Sequence, residues 1–440
     1  MPISREPAIV LRERLATELG ASFTADRPIA IRTAYEPIDV MGGFSGYTGA
    51  TVVSAAADRS CSIAIQPRDD RQIQVFSFGL FDQHKPFTLI APLDAITKAT
   101  PDQLRQHFQD PNTTWAACAV GCVRSLQALS ADAPMLQNVT ASTGRNIAIL
   151  ADTSDPAAHV AATMRALLDP DLAYEGETLL QVAKLCRQVL SEIVDEPTEL
   201  RRIIASLVVS PQQMVGVRSQ PDPVVIPVLL PDDVKVGVAD VAAHPDHTKQ
   251  LARLRVGAEM GRILILDKMR QLGQAAGREL IADPIGGCLA NLDLNDYRRF
   301  FRPFLPETFK GGAFLLQHGR LADKSLHVEP DHHYPIQLAT DFHVFGANRT
   351  KNFIQALTNA HGLAIGSDRT LELNKAGHLL YAAHKSLNAD AGIDTTESDK
   401  VVDWVRANES QGYYGAVLTP NSCCCVLTRS DLPFHLLKPE

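Results

Sequence analysis

Strand-like and helix-like stretches mix along this chain without the strict βαβ rhythm of a doubly wound sheet, which predicts an α+β fold. Two further observations support that class. The chain has 440 residues, enough for two or three domains at roughly 150 residues each. Its texture also changes to a Pro-rich, polar linker at Ser219–Pro223. Two α+β domains are therefore predicted, residues 1–197 and 198–440, with the boundary falling within 197–223. No GxGxxG or GxxxxGKS/T loop argues for a nucleotide-binding parallel sheet.

The elements follow from local pattern. Residues 7–19 have helical spacing. Short β runs come next, at Ile29–Thr33, Ala50–Ala56, Cys61–Gln66 and Gln72–Phe76. Asp69-Asp70 between the last two reads as a hairpin turn. A helix follows the Pro111-Asn112-Thr113 start, with apolar residues from Trp115 to Leu129. Residues 146–151 read as a strand, and 157–168, 176–194 and 198–209 as helices. Beyond the linker come strands at Val224–Leu230 and Val234–Ala239 and a helix from His247 to Gln274. Helices near 368–387 and 397–407 and strands at Tyr414–Thr419 and Ser422–Thr428 close the chain.

Composition removes several function classes. Hydrophobic residues make up 45% and charged residues 21%, ordinary globular values that argue against bulk disorder. Lys and Arg number 42 against 50 Asp and Glu, a net charge of −8, so no nucleic-acid partner is expected. The apolar runs Trp115–Val123 and Ile263–Leu266 fall short of the ~18 residues of a membrane span, and no membrane partner is expected. Arg5, Arg12 and Arg14 alternate with Glu6, Glu13 and Glu18, unlike a signal or transit peptide. A cytoplasmic location is expected. Eight scattered cysteines read as reduced thiols. Alternation along a strand sends Cys423 and Cys425 to one face and Cys424 to the other, a poor metal site. The histidines His244, His247, His327, His332, His333, His378 and His384 cluster loosely, with no Cys or Glu at ligand spacing. No metal site is predicted.

The segment Ala34-Tyr-Glu-Pro-Ile-Asp-Val-Met-Gly-Gly-Phe-Ser-Gly-Tyr-Thr-Gly49 resembles the first motif of the GHMP small-molecule kinases. In their arabinokinase-like members it runs close to A-P-G-R-L-D-V-M-G-G-I-A-D-Y-S-G. The core shared with that pattern is Asp39 to Gly43, then Tyr47 and Gly49. Further likenesses follow in order. One begins at Leu185-Cys186, runs through Pro197 and continues with Gln220-Pro221 and Pro231. Another includes Asp240, Arg255-Val256-Gly257-Ala258 and Met260-Gly261-Arg262. Gly415 to Thr419 falls where the family's last glycine-rich motif starts.

The resemblance implies a two-domain GHMP kinase fold with ligands held in the cleft between domains. It also implies a chemistry of positioning and electrostatics. A glycine- and serine-rich loop at a helix N-terminus cradles the ATP phosphates. A Ser and a Glu hold magnesium, and an Asp acts on the sugar hydroxyl. It implies a substrate-binding role for Asp39, Gly42, Gly43, Tyr47 and Asp240.

Four positions depart from the pattern. The phosphate loop, P-x-G-x-G-V-S-S-S-A-A-V-E in the family, aligns its second half with Thr153 to Val160. Leu150 and Asp152 replace glycines, Asp155 places a negative charge in the cradle, and Val160 stands for the magnesium Glu. Thr153-Ser154-Asp155-Pro156 then reads as an ordinary helix start. The catalytic Asp aligns with Arg202, which cannot act as a base. Glu199, a turn earlier, is the available substitute. The family's sugar-binding Asp is Gly46, and the Gly-Arg before Asp39 is Glu36-Pro37. The last motif's glycines become Thr419-Pro420-Asn421-Ser422, a tight turn. Thr153, Ser154, Thr419 and Ser422 are the phosphate-loop remnants. The expected function is a catalytically impaired sugar-kinase homologue that binds a sugar-like ligand or a protein partner, with no cofactor. Two alternatives stand beside it: an active sugar 1-kinase using Mg-ATP and replacement residues, and a structural subunit of a complex with an active kinase.

Overall fold

The computed structural model describes residues 6–127, 143–168, 172–220, 223–242, 246–277, 282–420 and 422–432. Its contacts divide the chain into two units. The first comprises Met1–Pro37 and Ala56–Pro211, the second Ile38–Ala55 and Gln212–Glu440. Strands β1 (Ala30–Met41) and β2 (Val52–Arg68) run from one unit into the other. Residues 38–55 group with the second unit because Val52, Val53 and Ser54 pair with Val217, Gly216 and Val215. Ile38, Val40, Met41 and Val53 also share a buried cluster with Met214 and Val228.

In the first unit, β3 (Gln72–Ser77), β4 (Thr88–Pro92) and β5 (Gly144–Ala151) complete a sheet with the Cys61–Arg68 part of β2. The order is β4-β3-β5-β2, with β3 and β5 parallel. This corrects the expected hairpin at Asp69-Asp70. Strand β5 inserts between β2 and β3, and the backbone N–H of Gly144 donates to the Asp70 carbonyl at 2.9 Å. Parallel pairing of distant segments leaves no local signal in a turn dipeptide.

Helix α1 (Pro7–Glu18) covers the sheet through Leu11 and Leu15, which pack with Phe76, Phe78 and Ala148. After three short helices, α2 (Phe78–Asp82), α3 (Leu93–Lys98) and α4 (Pro101–Phe108), come four larger ones. These are α5 (Ala117–Gln127), α6 (Pro156–Leu167), α7 (Gly176–Val189) and α8 (Leu200–Val208). Alanines dominate the buried residues of α6. Small side chains let neighbouring helices approach closely while burying apolar area.

The second unit carries β6 (Gln213–Arg218) and β7 (Val224–Leu229) beside the start of β2. A three-stranded antiparallel sheet joins β8 (Val234–Asp240), β11 (Tyr413–Leu418) and β12 (Cys423–Arg429) in the order β11-β12-β8. Strands β9 (Phe309–Lys310) and β10 (His333–Tyr334) form a small pair. The helices are α9 (His247–Ala275), α10 (Leu294–Asp296), α11 (Gly311–His318), α12 (Ile336–Gly362), α13 (Ser367–Ala389) and α14 (Thr396–Ala407). Cys423 and Cys425 join one buried cluster and Cys424 another, as alternation requires.

Two elements carry weak sequence signals. Helix α12 holds three each of Thr, Asn and Phe, poor helix formers, yet burial on several sides fixes it. Strand β6 runs through Gly216, a poor strand former, which nonetheless pairs on both sides.

Candidate functional site

The phosphate-loop remnant is the start of α6, in the first unit. Asp155 is its N-cap and Pro156 its first helical residue, as the sequence predicts. The Asp155 carboxylate accepts from the Ala157 backbone N–H at 2.8 Å and from Arg202 Nη2 at 2.5 Å. Thr153 Oγ1 donates to Glu36 at 2.6 Å and accepts from the Asp155 N–H at 3.0 Å. Glu36 also pairs with Arg59 at 3.0 Å. Ser154 is exposed. Val160 is fully buried in the helix core. Glu199, the candidate substitute base, is largely exposed and pairs with Arg201 at 2.6 Å. The structure therefore brings Arg202 onto Asp155 and leaves Glu199 with a different arginine. His159 lies beneath this start, a ring nitrogen 2.9 Å from the Thr153 carbonyl. Burial pushes its pKa down.

The first-motif turn belongs to the second unit. β1 ends at Met41, Gly42 turns the chain with φ +82°, and a 3₁₀ helix spans Gly43–Thr48. A side chain at Gly42 would place Cβ 2.5 Å from the Thr51 carbonyl oxygen, and one at Gly43 would meet Asp39 and Pro420 within 3 Å. Asp39 is buried and accepts from Ser54 Oγ at 3.0 Å. On the other side of the turn Tyr47 Oη and His343 Nε2 share a hydrogen bond at 2.5 Å. His343 Nδ1 and Ser45 Oγ share another at 2.9 Å. Full burial pushes the His343 pKa down to about 3, so the ring is neutral near neutrality. The Arg255 guanidinium stacks on the Tyr47 ring, 4.8 Å from its centre, a favourable cation–π distance.

The turn borders two cavities. Asp39, Gly42, Gly43 and Thr419 line one of about 40 Å³, together with Arg349 and Ser386. Tyr47 lines the other, about 270 Å³, with Arg255, Glu259, Arg262 and Asp323. There Glu259 and Asp283 tie down Arg262. Asp240 lies exposed at the end of β8, opposite Cys423, and borders neither cavity. Thr419 is buried, and its backbone N–H donates to the Cys423 carbonyl at 2.8 Å. Ser422 closes the turn at φ +56°. Asn421, Pro221 and His244 lie outside the described residues.

Sequence reasoning missed His343 and Arg349, both on α12. The available signal was spacing. Phe342, Gly346 and Arg349 stand at i, i+4 and i+7 and share one helix face, and all three border the smaller cavity. Among the described residues no three His, Cys, Asp or Glu side chains group to hold a metal ion, and no helix is long and apolar enough to cross a membrane.

The mixed α+β fold is similar to that of solved kinases of the GHMP fold. The sequence is 24% identical over 480 aligned positions to an L-arabinokinase of Arabidopsis thaliana. That alignment covers 96% of this chain and 44% of the relative, so the chain spans less than half the length of the curated relative it matches. Galactokinase of Lactococcus lactis, solved with galactose, superposes with a TM-score of 0.56 at 15% identity, over 96% of this chain and 91% of that one. A mevalonate kinase of Methanococcus jannaschii gives 0.45 at 12% identity, covering 92% of each. No protein-family model matches the chain.

Proposed function

We propose that this galactokinase- and arabinokinase-like chain has lost phosphoryl transfer and acts by binding a sugar-like ligand. One observation carries the reading: the Asp155 carboxylate at the N-terminus of α6, held there by Arg202. A helix N-terminus attracts phosphate through its free N–H groups and dipole. Here a side-chain carboxylate takes up an N–H, and its charge opposes any incoming phosphate. The cation that neutralises it occupies the position that the resemblance gives to the catalytic Asp. Magnesium has no ligand at Val160, an alkyl side chain buried in the helix core. The residues present do not suit Mg-ATP. The sugar-like ligand is supported by the retained turn in the second unit, where Asp39, Gly42 and Gly43 border a cavity, and by the likeness to a galactokinase solved with galactose.

Calorimetry with Mg-ATP, together with a phosphorylation assay over hexoses and pentoses, tests the proposal. The expected result is no nucleotide heat and no phosphorylated sugar. Micromolar Mg-ATP binding with transfer to any sugar overturns it in favour of an active sugar 1-kinase.

A further inference from the structure

The smaller cavity in the second unit has two unlike walls. On one side Asp39 presents a buried carboxylate, fixed by Ser54. On the other, Arg349 of α12 reaches the cavity beside Ser386 of α13, donating to its Oγ at 2.8 Å. Arg349 makes no ion pair among the described residues, and its buried Nε has no hydrogen-bond partner. Asp390 acts on it only through a longer-range attraction. A largely buried guanidinium without an acid partner is costly, because its lost hydration is not replaced. Such an unsatisfied donor calls for a missing acceptor. The cavity has room for one: about 40 Å³, against the ~10–15 Å³ that one water needs on the same measure. Gly346 keeps the helix wall open, since a Cβ there would meet only Ser45 and Arg349 atoms at 3.7 and 3.8 Å.

We propose that this cavity holds the acidic end of a polyhydroxylated small molecule, its oxyanion on Arg349 and a neighbouring hydroxyl donating to Asp39. The proposal rests on the reading of the chain as a sugar binder and narrows the ligand to an acidic sugar, carrying either a carboxylate or a phosphate. A planar guanidinium with free N–H groups suits both oxyanions. The carboxylate opposite then selects a hydroxylated neighbour over a second anion.

The test is calorimetry on the whole chain with four probes: D-galacturonate, galactose 1-phosphate, D-galactose and inorganic phosphate. One of the two acidic sugars should bind at least tenfold tighter than galactose and than phosphate, and which one it is names the oxyanion. Raising salt from 50 to 500 mM should weaken that binding. Arg349→Gln should lose at least tenfold in affinity for the acidic sugar. Its thermal midpoint should not fall, because an arginine kept for a ligand costs stability in the free protein. Gly346→Val, which fills the cavity beside Arg349 while keeping both charged side chains, should lose binding equally and guards against a folding defect in the first variant. Galactose binding as tightly as both acids, or Arg349→Gln binding unchanged, overturns the proposal while leaving the sugar-binding reading intact. An Arg349→Gln chain that loses stability but keeps its affinity likewise overturns it. Productive Mg-ATP binding would overturn the earlier reading instead.

Discussion

The start of α6 and the turn after β1 are held in opposite ways. At α6 charged side chains do it: Asp155 caps the helix and Arg202 neutralises Asp155. At the turn after β1 glycines do it. They remain for a reason visible in the backbone, since Gly42 has φ +82° and Gly43 lies against Asp39 and Pro420. The difference teaches that, on the proposed reading, a site closes when a side chain of the chain itself satisfies the groups that would hold the ligand. The turn after β1 instead borders both cavities.

The largest expected effect tests whether that turn is held by geometry. Gly42→Ala forces a left-handed conformation on a residue with a Cβ, costing about 1–2 kcal/mol. It also drives that Cβ against the Thr51 carbonyl, so the total should reach about 2–4 kcal/mol. Urea denaturation measures it. A loss below about 1 kcal/mol means the turn yields, and its glycines then argue nothing about a retained site.

A second measurement sharpens the contrast through pH. His343 has a folded pKa near 3, well below an ordinary histidine. The unfolded chain therefore takes up a proton at this residue below about pH 6.5, while the folded chain does not until near pH 3. The stabilisation is complete above pH 6.5 and is lost as pH falls through that window. The rate is about 1.4 kcal/mol per unit, hence about 2 kcal/mol at pH 5. His159 under α6 and His384 on α13 are also shifted down by burial, so the parent slope is a sum. The readout is the slope removed by each variant. His343→Gln should flatten the stability profile between pH 7 and pH 5 more than His159→Gln does. An equal or smaller flattening means the Tyr47–His343–Ser45 chain is not sealed from water.

Much of this contrast was legible beforehand. Asp155-Pro156 announced a cap and a first-turn proline, and the glycine pair announced a turn. Asp39 and Tyr47 could be picked as candidates, but not that they face different cavities. The partners come from elsewhere in the chain: Arg202 lies 47 residues from Asp155 and His343 lies 296 from Tyr47. Pairings at such separations are products of packing, and neither propensity nor periodicity encodes them. The same limit explains the missed insertion of β5 between β2 and β3.

The smallest effect probes the start of α6. In Arg202→Asp the aligned position regains the residue type that the resemblance gives it. The structure supplies a further reason to expect no activity. The new carboxylate would stand near Asp155, which now contacts Arg202 at 2.5 Å in a setting where the two side chains are 9% and 20% exposed. An ion pair would be exchanged for a like-charge contact, costing about 1–2 kcal/mol at partial burial. Pairing it with Asp155→Ser removes the repulsion and keeps an N-cap, so the double variant should recover about 1 kcal/mol over the single one. Phosphate transfer should stay at background in both. Val160 still offers no metal ligand, and without a cradle the γ-phosphoryl group has no fixed position, which is where most of the catalysis in phosphoryl transfer resides. The outcome that breaks the comparison is sugar phosphorylation by Arg202→Asp alone. ATP would then already be held productively, and the capped start of α6 would be a phosphate site one residue from working, no more closed than the turn it is set against.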